Sequence, residues 1–315
     1  MIKKKILIDC DPGIDDALAM ILALNSPELD VKAITTVAGN LDANRTSENA
    51  LKVLELCGRP EIPVTKGSQK PLFRGLYPDF FSHGRDGLGE VNLPKPRHKL
   101  HTGHAVDMII NMAKRYPSEL TVVTTGPLTN IALALLKEPR LSQEIKEHVM
   151  MGGLFGLSQD VFKHPTGPSP VSEWNVYVDP EAFKVVLESG LKTTAVGLDI
   201  TTSTALTAQN EHLKQLLETN TKLSVLAARM MKFIMDRSLP MHFHDPMAIV
   251  YAIKPSLFTV KRFKAQIEVV SELTRGQILI DQRLNFQWDD SKPSINVATG
   301  VNAKDALNLI LQRLV

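Results

Sequence analysis

Short apolar runs of strand length alternate with amphipathic stretches of helix length through the first two thirds of the chain, and this rhythm narrows the fold more than any other feature. Lys5–Cys10 reads as a buried strand and Asp15–Leu24 as the helix after it. Val31–Val37 and Asn44–Cys57 repeat the pair, with Gly58 and Pro60 ending the helix. Pro63–Thr65 reads as a short strand. His101–Tyr116, Leu120–Thr124, Leu128–Leu136, Val149–Met151, Pro180–Ser189 and Thr194–Leu198 then alternate as helix and strand. This order predicts an α/β fold with a mostly parallel, open, Rossmann-like central sheet flanked by helices. The last third departs from it. Glu211–Arg237 predicts one or two long helices, and Asp245–Ile253 another. Phe258–Val270, Gln277–Asp281 and Ile295–Val297 predict later strands, some antiparallel, and Ala303–Leu314 a closing helix. No linker separates two halves, so residues 1–315 are expected to form a single domain.

Two irregular segments, Gly67–Leu100 and Leu154–Ser172, interrupt the pattern. Loops of this length inside a compact α/β domain are more often binding loops or lids than neutral insertions. Composition removes other classes. The net charge of +2, from 36 basic and 34 acidic residues, implies no nucleic-acid partner. No apolar stretch reaches the ~18 residues of a membrane span, so no membrane partner is expected. Cys10 and Cys57 cannot build a disulfide framework, and a cytoplasmic location is expected.

The segment Asp9-Cys10-Asp11-Pro12-Gly13-Ile14-Asp15-Asp16 places four carboxylates within eight residues. They fall where a buried strand ends and a helix begins, the ligand-binding edge of an open α/β sheet. Carboxylates so close raise one another's pKa, and a bound cation relieves the repulsion. The Pro12-Gly13 turn lets Asp11 and Asp16 converge, and oxygen donors alone suit Ca²⁺ or Mg²⁺. Helix capping accounts for Asp15 or Asp16. It does not account for Asp9 and Asp11 on a buried strand. Further on, Met241-His242-Phe243-His244-Asp245-Pro246 precedes an apolar helix. Asp245 also reads as an N-cap before a proline, and a lone histidine there as a packed one.

Together these residues resemble the nucleoside hydrolase family of the inosine–uridine-preferring type, over essentially the whole chain. Asp9–Ala17 is similar to the family's DxDPGxDDA, and Ala33–Asn40 to its second block. His83-Gly84-Arg85-Asp86-Gly87-Leu88-Gly89 is similar to HGxDGLG, and Thr125–Asn130 to TGPLTN. Met151-Gly152-Gly153, Glu173-Trp174-Asn175 with Asp179–Ala182, and His244-Asp245-Pro246 come next in the family's order. Seven blocks in order make chance agreement remote.

The resemblance implies hydrolysis of the N-glycosidic bond of ribonucleosides at the C-terminal ends of the strands. It implies a tightly held Ca²⁺ with Asp11, Asp16, the Thr125 carbonyl and Asp245 as ligands. Asp11 matches the general base that activates a calcium-bound water. Asp15, Asn40, Glu173 and Asn175 match positions that hold the ribose hydroxyls, with Met151 at the pocket wall and His83 near the substrate. His244 matches the histidine beside the leaving base and takes the acid role. Bond cleavage proceeds with oxocarbenium character, as in other glycoside hydrolyses. A small-molecule ribonucleoside is the expected partner, and a homodimer or homotetramer the expected assembly.

The chain departs from the family's pattern in Thr166-Gly167-Pro168-Ser169-Pro170-Val171-Ser172-Glu173. Gly167 or Pro168 stands where an Asn that helps bind the 5′ end of the ribose is usual, so an altered 5′ group is a further expectation. Leu226–Leu239, rich in Met and Phe, reads as a buried helix face rather than a base-stacking wall. The base preference stays open. A haloacid dehalogenase-type phosphotransferase shares Asp-x-Asp but not the continuation Pro12-Gly13-Ile14-Asp15-Asp16. A calcium-dependent riboside binder would need neither base nor acid, and a phosphorylase would need a phosphate cradle that is missing from the sequence.

Overall fold

The computed structural model describes residues 3–157 and 159–315. One nine-stranded sheet organises them: β1 (Lys4–Cys10), β2 (Leu29–Thr36), β3 (Val64–Lys66), β4 (Thr121–Thr124), β5 (Glu147–Met151), β6 (Thr193–Val196), β7 (Phe258–Ile267), β8 (Ile278–Ile280) and β9 (Ser294–Val301). Their spatial order is β3-β2-β1-β4-β5-β6-β9-β7-β8. The first six and β9 run parallel, while β7 is antiparallel to both β9 and β8. Chain order reverses between β1 and β4, and such a reversal opens a crevice beyond the strand C-termini.

The apolar runs are strands because both faces of a parallel sheet are covered by helices. On β1, Ile6 and Ile8 enter one core layer and Leu7 the opposite one, all three fully buried. The helix Ile14–Leu24 is buried on nearly every side. It packs against the helix His244–Ile253, which also lies under β4 and β5. That second helix is so apolar because it runs through the interior, and its start delivers His244 and Asp245 to the crevice.

Several element boundaries differ from expectation. Residues 101–104 are not helical: Gly103 sits at φ +101 and His104 caps a helix that runs only Ala105–Arg115. Of the one or two helices expected over Glu211–Arg237 there are two, Asn210–Thr219 and Lys222–Met235, parted by Asn220 in the left-handed region. The strand from Phe258 stops at Ile267, short of Val270, and β6 stops at Val196, because Gly197 opens the one-turn helix Leu198–Thr201. Within the irregular segments lie a turn of helix, Phe80–His83, and a 3-10 turn, Gln159–Lys163. No helix among the described residues is long and apolar enough to cross a membrane.

Candidate active site

Strand register builds the floor. Asp9 pairs with Thr124, Cys10 with Thr36 and Thr124 with Met150, so Asp11 and Thr125 follow the ends of adjacent strands, next to Met151, the last residue of β5. Asp9 itself faces inward, where Thr35 Oγ1 and Asn130 Nδ2 donate to its Oδ1 at 2.6 and 2.8 Å. Asp11 and Asp16 are fully buried or nearly so and meet through shared donors. The Asp11 backbone N–H donates to Asp16 Oδ1, the Gly13 N–H to Asp16 Oδ2, and Thr125 Oγ1 to Asp16 Oδ1 at 2.7 Å. Asn40 bridges the two acids: its N–H donates to Asp11 Oδ2 at 2.6 Å and its Nδ2 to Asp16 Oδ2 at 3.1 Å. Asp16 thus serves the helix start and the site at once.

Carboxylate oxygens of Asp15, Asp16 and Asp245 lie within 4.8 Å of one another. Asp11 stands outside that trio and joins it through Asp16. Burial, then the charge on Asp16, pushes the Asp11 carboxyl well above the ordinary range. Burial, then Asp15, Asp16 and Asp11, does the same to Asp245. Asp15 and Asp16 are each raised to about 6, burial being the first cause of both. No lysine or arginine forms an ion pair with these acids among the described residues. Asp11 Oδ1 and Asp15 Oδ1 are buried without a hydrogen-bond partner. Oxygen donors, mutual repulsion and bare lone pairs together fit a hard divalent cation.

Above this floor opens a cavity of about 430 Å³. Of the residues expected at the site, Asp15, Asn40, His83, Thr125, Met151, Glu173, Asn175, His244 and Asp245 line it, while Asp11 and Asp16 lie behind. Glu173 caps the helix Trp174–Val178 and takes N–H donors from Gly153, Asn175 and Val176 at 2.7 to 3.1 Å. Burial still raises its carboxyl to about 7. Asn175 Nδ2 donates to the Thr125 carbonyl at 2.7 Å and more weakly to that of Met151. His83 Nδ1 accepts the Ile14 N–H at 3.1 Å. His244 Nδ1 lies 2.7 Å from Thr201 Oγ1, and burial lowers its pKa to about 3.

The family model described as "Inosine-uridine preferring nucleoside hydrolase" matches residues 6–308. The chain belongs to this family. It is 37% identical to a probable uridine nucleosidase 2 of Arabidopsis thaliana, over 99% of this chain and 98% of the relative. A solved plant nucleoside hydrolase superposes with a TM-score of 0.91 at 31% identity, covering 99% of each chain. The purine-preferring ribonucleoside hydrolase of Gardnerella vaginalis does so at 0.87 and 34% identity, covering 99% of this chain and 98% of that one.

Against the family's pattern, Gly167 lies away from the cavity, where a Cβ would meet Tyr177 and Ser172. Lys163, His164 and Thr166 of the same segment line the cavity instead. Thr166 Oγ1 accepts the Trp174 N–H at 2.8 Å, which ties the segment to the Glu173–Asn175 wall. Met230 and Met231 are fully buried, so Leu226–Leu239 is chiefly a core face, although Ile234 and Leu239 reach the cavity. His164 and His242 also line this nucleoside hydrolase cavity, and neither was expected there from the sequence. The only signal for His242 was its place two residues before His244.

Proposed function

We propose that this chain hydrolyses the N-glycosidic bond of ribonucleosides in this cavity, releasing base and ribose, with Ca²⁺ held by the buried aspartates. The observation that carries the reading is the trio Asp15, Asp16 and Asp245 at a cavity that amides and imidazoles also line. Asp11, Asp16, Asp245 and the Thr125 carbonyl would hold the ion. A mixed set of carboxylates and a carbonyl suits calcium's flexible coordination. Bound there, the ion would offset the repulsion among the acids and polarise water at the floor.

The protein's own groups supply the rest. Asp11 keeps Oδ1 without a partner while Asn40 fixes Oδ2, which supports Asp11 as the base that takes a proton from the attacking water. Asn40 spends its Nδ2 hydrogens on Asp16 and the Asp11 carbonyl, which leaves Oδ1 for a ribose hydroxyl. Asn175 likewise spends its amide hydrogens on Thr125 and Met151. Asp15, with a bare Oδ1, and the immobilised Glu173 accept from other hydroxyls. Polar groups buried to meet hydroxyls penalise a deoxyribose. With its pKa lowered to about 3, His244 is a neutral imidazole at neutral pH and carries one ring hydrogen. In the tautomer where Nδ1 accepts from Thr201 Oγ1, 2.7 Å away, Nε2–H would aid the leaving base through a hydrogen bond rather than a stored charge.

Release of reducing sugar from a panel of ribonucleosides, with and without chelator, tests the reading. Uridine heads the panel because the Arabidopsis relative is named for it. Ribose release that chelator abolishes and calcium restores is expected. Release undiminished by chelator would remove the calcium role. No release from any nucleoside, with calcium bound, would leave a riboside-binding protein or a substrate altered at the 5′ position.

A further inference from the structure

His242 sits on the cavity wall at 9% exposure, yet neither the floor nor the ribose end uses it. Thr207 Oγ1 lies 3.1 Å from His242 Nδ1 and 3.3 Å from the Ser203 carbonyl, which can only accept. With the single hydroxyl hydrogen on that carbonyl, Nδ1 donates to Thr207 and Nε2 presents a lone pair, and this is the tautomer the proposal below requires. That Nε2 is buried and has no partner. Burial first, then the neighbouring His164, lowers the ring's pKa to about 4, so the lone pair persists at neutral pH.

The backbone that carries the ring is tied down. Thr207 and His242 form an antiparallel bridge, and the Ala208 N–H donates to the Met241 carbonyl at 2.8 Å. The His164 ring stands against it edge-on at 6.2 Å, and the His244 ring lies tilted at 5.2 Å on the other side. Ile234, Leu239 and Pro240 also line the cavity. Imidazole and apolar walls suit a heterocycle, whereas carboxylates and amides suit hydroxyls. A buried acceptor left bare is costly unless ligand binding brings it a donor.

We propose that His242 is a specificity-determining residue whose Nε2 accepts a hydrogen bond from an N–H of the leaving base. The proposal rests on the hydrolase reading above and deepens it. Uracil and hypoxanthine ribosides each carry a single base N–H, which N-methylation removes. The test compares uridine with 3-methyluridine, and inosine with 1-methylinosine, on wild type, His242→Ala and His242→Gln. The glutamine Oε1 can stand in for Nε2 as an acceptor; alanine cannot. For the preferred pair, His242→Ala should lower kcat/KM about tenfold or more on the unmethylated substrate and leave the methylated one unchanged or improved. His242→Gln should restore most of the loss. Equal losses on both members of the pair, no loss on either, or glutamine no better than alanine would each overturn the proposal. A wild type that cleaves none of the four, while cleaving another riboside, overturns this proposal and leaves the hydrolase reading standing; one that cleaves no riboside at all overturns both.

Discussion

Asp11 occupies a slot bounded by two glycines. A Cβ on Gly39 would lie 2.1 Å from Asp11 Oδ2 and 2.6 Å from Pro127, and one on Gly126 would lie 2.7 Å from Oδ1. Neither contact can be relieved without moving the carboxylate or the strand ends. Gly39→Ala should therefore displace the proposed base and cut kcat/KM by about a hundredfold or more, since misplacement by ~1 Å costs that much. Steady-state kinetics beside thermal unfolding checks this: activity should fall while Tm moves by a few degrees. Retained activity would show that the reaction does not need Asp11 where it lies. The acids and amides of the floor were legible in the sequence because their residue types have few other reasons to cluster at a strand end. That two glycines serve one side chain was not legible, since the Ala38-Gly39-Asn40 and Thr125-Gly126-Pro127 turns meet only in space. His242 and His164 were hidden for the same reason: nearly eighty residues separate them, and each reads alone as a packed histidine.

Parallel strands buried on both faces announce themselves as apolar runs, so β1, β2, β4, β5 and β6 were readable within a few residues. The ends were less so, because caps and left-handed residues such as Gly103 and Asn220 decide them locally. The sheet also hides a titratable group. His148 on β5 is fully buried between Thr124 on β4, at 3.0 Å, and Thr193 on β6, at 3.1 Å. Burial lowers its pKa to about 3, against an ordinary 6.5. The folded protein thus binds this proton less readily than the unfolded chain. Stability from the neutral ring is complete above about pH 6.5 and is lost as the pH falls towards 3, by about 1.4 kcal/mol per pH unit. His148→Gln keeps a donor and an acceptor between the two threonines but does not titrate. Its denaturation midpoint should fall less than that of the wild type between pH 6.5 and pH 4.5. Parallel losses in the two proteins would show that His148 does not set the acid limit.

Taken whole, the molecule concentrates a conflict at one point. Helices and strands that are otherwise apolar converge to bury Asp11, Asp16 and Asp245 beside a half-buried Asp15, with no basic side chain paired to them among the described residues. Without a cation the folded state must either keep these charges against their repulsion or protonate them at neutral pH, and both cost stability relative to the unfolded chain. A cation that binds only the folded state reverses this, by about 2.7 kcal/mol at a hundred times its Kd. Calcium should therefore raise Tm by several degrees, and chelator should lower it. Asp245→Asn separates the two effects. Removing one charge should make the chelated variant more stable than the chelated wild type, while the calcium-induced rise and the turnover both disappear. Thermal unfolding of both proteins, with calcium and with chelator, gives the four values needed. A chelated variant less stable than the chelated wild type would mean that Asp245 is held by its hydrogen bonds rather than strained by its neighbours. In that case the acidic cluster is a structural element, and the cation serves chemistry alone.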